Sequence, residues 1–204
     1  MGPRTENGLL KRRVYAQHEL AEGDDVASAV FDGLSFAGAS LKECKFTACS
    51  FEHTDFTGAQ LSATLFRRCN LVNARLRGAR LFSAGFEDCK LLGVDFAHVE
   101  DLTAVSFHGC NLSYSSFRGL NLANADFARC ILVEADVALT NLETGSFVDA
   151  DLSNLEFREA RFPQTDLRGA TLTGWNLHKH DLKGTILKRW QLENLARELG
   201  IVVV

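Results

Sequence analysis

Phe46-Thr47-Ala48-Cys49-Ser50-Phe51-Glu52-His53-Thr54-Asp55-Phe56-Thr57-Gly58-Ala59-Gln60-Leu61 carries a large apolar residue at every fifth place. Followed outward, the same phase meets Phe31, Phe36 and Leu41 before this stretch, and Phe66, Leu71, Leu76, Leu81, Phe86, Leu91 and Phe96 after it. The phase slips by one residue, resumes at Leu102 and Phe107, and runs in fives to Leu182 and Leu187. Of these 32 positions, 31 are Leu or Phe and Val137 is the exception; fourteen of the fifteen Phe of the chain lie in this phase. The residue two before each centre is usually small, as at Ala39, Cys44, Cys49, Thr54, Ala59, Thr64 and Cys69. Two places in five therefore face inward, one large and one small. Neither the 3.6 period of a helix nor the 2.0 period of an ordinary strand gives this pattern. Fifteen Phe against two Tyr and two Trp point to buried rings that need no polar partner.

The motif of Ala125-Asp126-Phe127, Ala150-Asp151-Leu152-Ser153 and Thr165-Asp166-Leu167-Arg168-Gly169 resembles that of the pentapeptide-repeat family, small–Asp/Asn–Leu/Phe–polar–Gly. The resemblance implies an all-β fold, a right-handed quadrilateral β-helix with one pentapeptide per side and four per coil. Thirty-two repeats then make eight coils, a rod of roughly 38 Å at about 4.8 Å per coil. A single coil is too small to bury its own face, so stability comes from stacking and both ends need caps. The chain divides into an N-terminal segment or cap (1–25), the β-helix (26–187), and a C-terminal helix and tail (188–204). Leu9 to Tyr15 is a candidate capping strand.

All six cysteines occupy the small inward place. Cys49, Cys69, Cys89, Cys110 and Cys130 are spaced by 20, 20, 21 and 20 residues, one coil each, with the 21 spanning the slip. They are expected to stack as a buried ladder of small hydrophobes. With no CxxC pair, a metal or redox site is not expected and no cofactor is implied. The slip itself lies within Ala97-His98-Val99-Glu100-Asp101 and reads as a one-residue bulge, with Val99 keeping the inward place. Trp175 and His180 stand where small residues are expected, so the last coil differs. Lys188 to Gly200 reads as a helix with an apolar stripe of Leu192, Leu195, Ala196 and Leu199. Ile201-Val202-Val203-Val204 follows as an apolar tail, and no polar cap is evident at this end.

The formal charge of −4 hides an uneven distribution. Residues 81–166 carry five basic and fourteen acidic side chains, a balance of −9, while 31–80 and 167–204 are each +3. An acidic middle disfavours direct binding to nucleic acid and favours a basic partner. The longest apolar run is about four residues, too short for a membrane span. Lys11-Arg12-Arg13 has no apolar stretch behind it, so a signal peptide is not expected, and the chain reads as cytoplasmic. There is no phosphate loop, metalloprotease motif or nucleophile elbow, and the chain does not read as an enzyme.

Two further segments carry a narrower resemblance. Asn111-Leu112-Ser113-Tyr114-Ser115-Ser116-Phe117, and the C-terminus with Glu198-Leu199-Gly200-Ile201-Val202-Val203, resemble the quinolone-resistance (Qnr) pentapeptide proteins and the McbG-type immunity proteins. The resemblance implies a homodimer joined through the C-termini. It also implies a DNA-mimicking surface that binds DNA gyrase and topoisomerase IV and protects against a topoisomerase poison. Unlike the Qnr proteins, this chain has no long insertion between Cys89 and Asn111. The residue before each centre faces outward, which makes Asp55, Asp95, Asp136 and Glu156 one column. Asp101, Asp126, Asp151 and Asp166 lie on other faces and, with Glu100 in the bulge, complete the candidate partner surface. Trp190, Leu192, Leu195, Leu199, Ile201, Val202 and Val203 are the candidate dimerisation residues. Two alternatives stay open: Asp and Asn at this place can simply bond to nearby backbone in the turns, and the rod can be a structural or adaptor solenoid for an unrelated protein.

Overall fold

The large and small inward residues close the chain into coils, and the computed structural model describes these at residues 13–14, 20–175, 183–198, 200 and 202. The chain is a right-handed β-helix followed by one short helix, as the five-residue period requires. Each side is a few extended residues ended by a turn. In the turn the N–H of the next small residue bonds back to the centre's carbonyl, as from Ala39 to Phe36 at 2.9 Å. The third turn residue has φ above zero; glycine fills it at Gly38, Gly58 and Gly78, but twenty other residues adopt it with φ of 52° to 64°. The coil so overdetermines the turn that the usual cost of about 1–2 kcal/mol for a left-handed residue is borne repeatedly.

Strands β1 (Arg13–Val14) and β3 (Ala29–Val30) pair in parallel. A second parallel sheet runs β2 (Asp25–Ala27), β4 (Lys45–Thr47), β5 (Leu65–Arg67), β6 (Gly85–Glu87) and β7 (Ser106–His108). Its register steps by 20 residues, Val26 to Phe46 to Phe66 to Phe86, and then by 21 to Phe107. A second face stacks Val30, Ser50, Asn70, Lys90, Asn111, Ile131, Asp151 and Thr171, eight successive rungs. The N-terminal strand expected between Leu9 and Tyr15 is present at Arg13–Val14, beneath the first coil; the rest of that stretch lies outside the described residues.

The core is a column of rings. Phe46, Phe66, Phe86, Phe107, Phe127 and Phe147 stack in sequence with centroids 5.0 to 5.3 Å apart. All fourteen in-phase Phe are buried, and the one off-phase ring, Phe82, is exposed. At some small places the side chain has a second role. Thr, Cys and Trp there reach the carbonyl of a centre in the coil below: Thr54 to Phe31 and Thr64 to Leu41 at 2.7 Å, Cys89 to Phe66 at 3.3 Å, and Trp175 Nε1 to Leu152 at 2.8 Å. The oversized Trp175 thus obeys the same rule as the threonines. All six cysteines are free and buried. Hydrogen bonds to the adjacent thiols, and then burial, push Cys89 and Cys130 up from the usual thiol range.

At the slip, Glu100 N–H donates to Ala79 and the Asp101 carbonyl accepts from Leu81, so two residues stand opposite Arg80. This is the bulge the sequence predicts, and Val99 is half-buried against the core. Helix α1 (Arg189–Glu198) closes the far end. The expectation that no polar cap occurs here is corrected by Gln191, which is buried. Its Oε1 accepts from Gly169 and Lys188 backbone N–H, and its Nε2 donates to the carbonyls of Leu167 and Ala170. One amide thereby satisfies the open backbone of the last coil and the start of the helix. His180, the other small-place departure, lies outside the described residues.

Candidate partner surface

The residue before each centre is held at the surface because its backbone carries the coil-to-coil ladder. The ladder places Ser35, Asp55 and Arg75 in one run, and Asp95, Ser116, Asp136 and Glu156 in another on the same face. Asp101 follows Arg80 on the next face, Asp126 and Asp166 flank Ser146 on the third, and Asp151 follows Ile131 on the fourth. The structure brings Asp95, Asp136 and Glu156 into one run; Arg75 and Ser116 interrupt the column of carboxylates.

Eight of the nine candidate acids share one local role. A carboxylate oxygen accepts the backbone N–H two residues on: Asp55 from Thr57, Asp95 from Ala97, Asp101 from Thr103 and Asp126 from Ala128, at 2.8 to 3.0 Å. Asp136, Asp151, Glu156 and Asp166 do the same with Ala138, Ser153, Arg158 and Arg168, at 2.9 to 3.1 Å. Asn111, Asn121 and Asn141 make the same bond. The turn therefore selects an Asp or Asn oxygen at this place. It does not select between the charged and the neutral one.

Charge pairing divides the nine further. Asp55 pairs with Arg75 at 3.2 Å, Asp136 with Arg118 at 2.9 Å and Asp166 with Arg168 at 2.6 Å, while Glu100 pairs with Arg80 and Asp95 shares a hydrogen bond of 2.7 Å with His98 Nδ1. The Thr57 hydroxyl holds the Asp55 carboxyl below its ordinary range, the Thr103 backbone N–H does so for Asp101, and the Arg168 guanidinium for Asp166. Among the described residues Asp101, Asp126, Asp151 and Glu156 form no ion pair. These four lie on four different faces, and all but Asp101 belong to the later coils.

Of the candidate dimerisation residues, Trp190, Leu192 and Val202 are exposed, and Val202 at 82% is the most open. Leu195 is 7% exposed and packs into its own chain's core. The helix therefore seats its Gln191–Leu195 edge on the last coil and leaves Trp190 and Leu192 outward. Leu199, Ile201 and Val203 lie outside the described residues.

A family model for pentapeptide repeats matches in eight copies across residues 27–62, 59–97, 101–137 and 146–189. No curated protein sequence matches the chain. Among solved structures, a trypsin-treated variant of QnrB1, described as a plasmid-mediated fluoroquinolone resistance protein, superposes with a TM-score of 0.81 at 23% identity. That match covers 94% of this chain and 96% of the other. A second trypsin-treated variant of the same protein gives 0.84 at 24% identity, over 90% and 91%. HetL, involved in heterocyst differentiation regulation in the cyanobacterium Nostoc, gives 0.53 at 23% identity, over 80% and 87%. At these identities the superpositions speak to the fold, while the repeat itself runs through most of the sequence, and on that ground the chain belongs to the pentapeptide-repeat family.

Proposed function

We propose that this protein is a cytoplasmic, homodimeric DNA mimic that binds DNA gyrase and topoisomerase IV at the surface where duplex DNA lies. In doing so it protects the enzyme from a topoisomerase poison, in self-resistance or in resistance of the quinolone type. The observation that carries the reading is the set of carboxylates at Asp101, Asp126, Asp151 and Glu156, without an ion pair among the described residues and spread over the four faces of a rod whose coils rise by about 4.8 Å. The likeness to the fluoroquinolone resistance protein QnrB1 along nearly the whole of both chains supports it. DNA carries about one phosphate charge per 1.7 Å of axis, so the mimicry is of field and width, not of spacing.

The test is gyrase supercoiling with a fluoroquinolone, titrating this protein. Supercoiling should be rescued, and the rescue should weaken as salt rises, because exposed charges are screened within about 8–10 Å. The triple variant Asp126→Asn, Asp151→Asn, Glu156→Gln keeps the turn-bonding oxygens. It should melt like the parent and bind gyrase at least about tenfold more weakly, roughly 1.4 kcal/mol. A second reading, an adaptor for an unrelated protein, is favoured by the neutralisation of Asp55, Glu100, Asp136 and Asp166 by arginines. It predicts no effect on gyrase with or without the drug.

A further inference from the structure

The bulge does more than shift the register: it opens a seam between two coils. In regular coils the centre's N–H and the N–H of the third turn residue both bond to the next coil, as Leu122 to Asn141 and Asn124 to Glu143 at 2.8 and 2.9 Å. At the coil following the bulge the equivalent donors are Leu102 and Ala104, facing Asn121 and Ala123. Among the described residues neither of these bonds forms, nor does the return bond from Asp126 N–H to Val105. The opening closes gradually along the chain. Phe107 N–H reaches Asp126 at 3.4 Å and Gly109 reaches Ala128 at 3.3 Å, and the ladder is tight again at Leu112 to Ile131, 2.7 Å. This is why the five-stranded sheet ends at β7.

The space left is a cleft of about 360 Å³ walled by Leu102–Val105 on one lip and Asn121–Ala125 on the other. That lies within the roughly 300–1,000 Å³ typical of binding sites. Its floor reaches the core, since Leu102 and Ala125, both at inward places, are only partly buried. The exposed Phe82 stands one coil below Thr103, on the same corner. Asp101, Asp126 and Glu143 carry carboxylates on the walls or in the adjacent coil, and none of the three is ion-paired among the described residues.

We propose that this seam binds an extended polypeptide segment of the partner protein, with an apolar side chain directed at Leu102 and Ala125 and basic side chains toward Asp101, Asp126 and Glu143. The Leu102, Ala104 and Asp126 N–H groups, left without their coil-to-coil bonds along two facing turns, can be matched by the carbonyls of another backbone laid between them. The acidic rim selects a basic segment. This occupant rests on the gyrase reading above, and the segment belongs to that enzyme.

The experiment is hydrogen exchange at the Leu102, Ala104 and Asp126 amides in the full-length protein, alone and with gyrase holoenzyme, alongside three variants. The amides should exchange fast alone and slow by at least about tenfold on binding. Deleting Glu100 restores a 20-residue coil; it should slow the same amides without gyrase and weaken binding at least about tenfold. Glu100→Gln, which removes the charge but keeps the bulge, should leave the seam amides exchanging as in the parent, so that slowing in the deletion reports register and not charge. Ala123→Trp fills the cleft from a turn position without changing register, and it should weaken binding even where the deletion fails to fold. Seam amides indifferent to bound gyrase, or parental binding by Ala123→Trp, would overturn the proposal. If those results come while the Asp126, Asp151, Glu156 triple variant still loses binding, the seam alone is refuted. A parent protein that does not bind gyrase refutes both readings together.

Discussion

Each turn of the coil uses one side-chain oxygen, and that use ties the folded state to pH. The carboxyls of Asp55, Asp101 and Asp166 are held below their ordinary range by hydrogen bonds and, at Asp166, by Arg168. A folded value below the unfolded one, near 3.9 for Asp, means stability that is present at higher pH and lost as pH falls through the folded value. Melting temperature should therefore be insensitive to these groups from about pH 8 to 6 and fall below about pH 4. Asp101→Asn with Asp166→Asn should flatten that acid limb, and an unaltered limb would show that the turn bonds do not titrate. The inward centres are less forgiving. Phe127 lies between Phe107 and Phe147, at 5.3 and 5.0 Å, and Phe127→Asp should cost several kcal/mol, read as loss of the thermal transition at ordinary temperature. The large inward residues were legible because a period of five admits one assignment. The carbonyl-seeking role of Thr54, Cys89 and Trp175 was not, because the acceptor lies 23 residues away and becomes a neighbour only once the coil closes.

Among the elements, the two ends of the β-helix are finished differently. Beneath the first coil a short strand, Arg13–Val14, continues the parallel pairing. Beyond the last, a helix delivers a single amide, Gln191, to four backbone groups. The apolar pattern of 188–200 finds the helix but groups Leu192 and Leu195 in one stripe offered to a second copy, because hydrophobicity alone cannot show that the surface beneath is open backbone. The chosen edge runs through Gln191 and Leu195, so Leu192 is left outside. Gln191→Ala should destabilise the protein by about 1–3 kcal/mol, since Leu167 and Ala170 lose their donor in a closed site. Gln191→Glu should do no better, because a carboxylate accepts from Gly169 and Lys188 but cannot donate to the two carbonyls. Chemical denaturation of the two variants checks both statements. Counting residues places the bulge, but the cleft it opens was not legible: a one-residue insertion does not say whether the next coil follows or splays.

At the scale of the whole molecule, the remaining question is what covers the outward side of the terminal helix. Trp190 and Leu192 are 48% and 56% exposed, Val202 is 82% exposed, and Ile186, 46% exposed, is the last rung of its face. Apolar side chains gathered at one end of a rod, beside the last described coil, favour association. A second copy presenting the same surface gives an isologous, closed contact, whereas a head-to-tail contact would propagate into a fibre. Two rods joined this way would extend to roughly 75 Å at about 4.8 Å per coil, placing the unpaired carboxylates of Asp126, Asp151 and Glu156 on both sides of the junction. Trp190 and Leu192 are then the expected anchors, while Leu195, buried within its own chain, is needed for the helix to seat at all. Trp190→Glu with Leu192→Glu should give a folded monomer with the parent's melting profile at low concentration, and gyrase protection should fall because half the acidic length is gone. Leu195→Glu should instead lower the melting temperature before it changes the oligomeric state. Light scattering that finds the parent protein monomeric at micromolar concentration would remove the dimer, and with it the long-rod form of DNA mimicry.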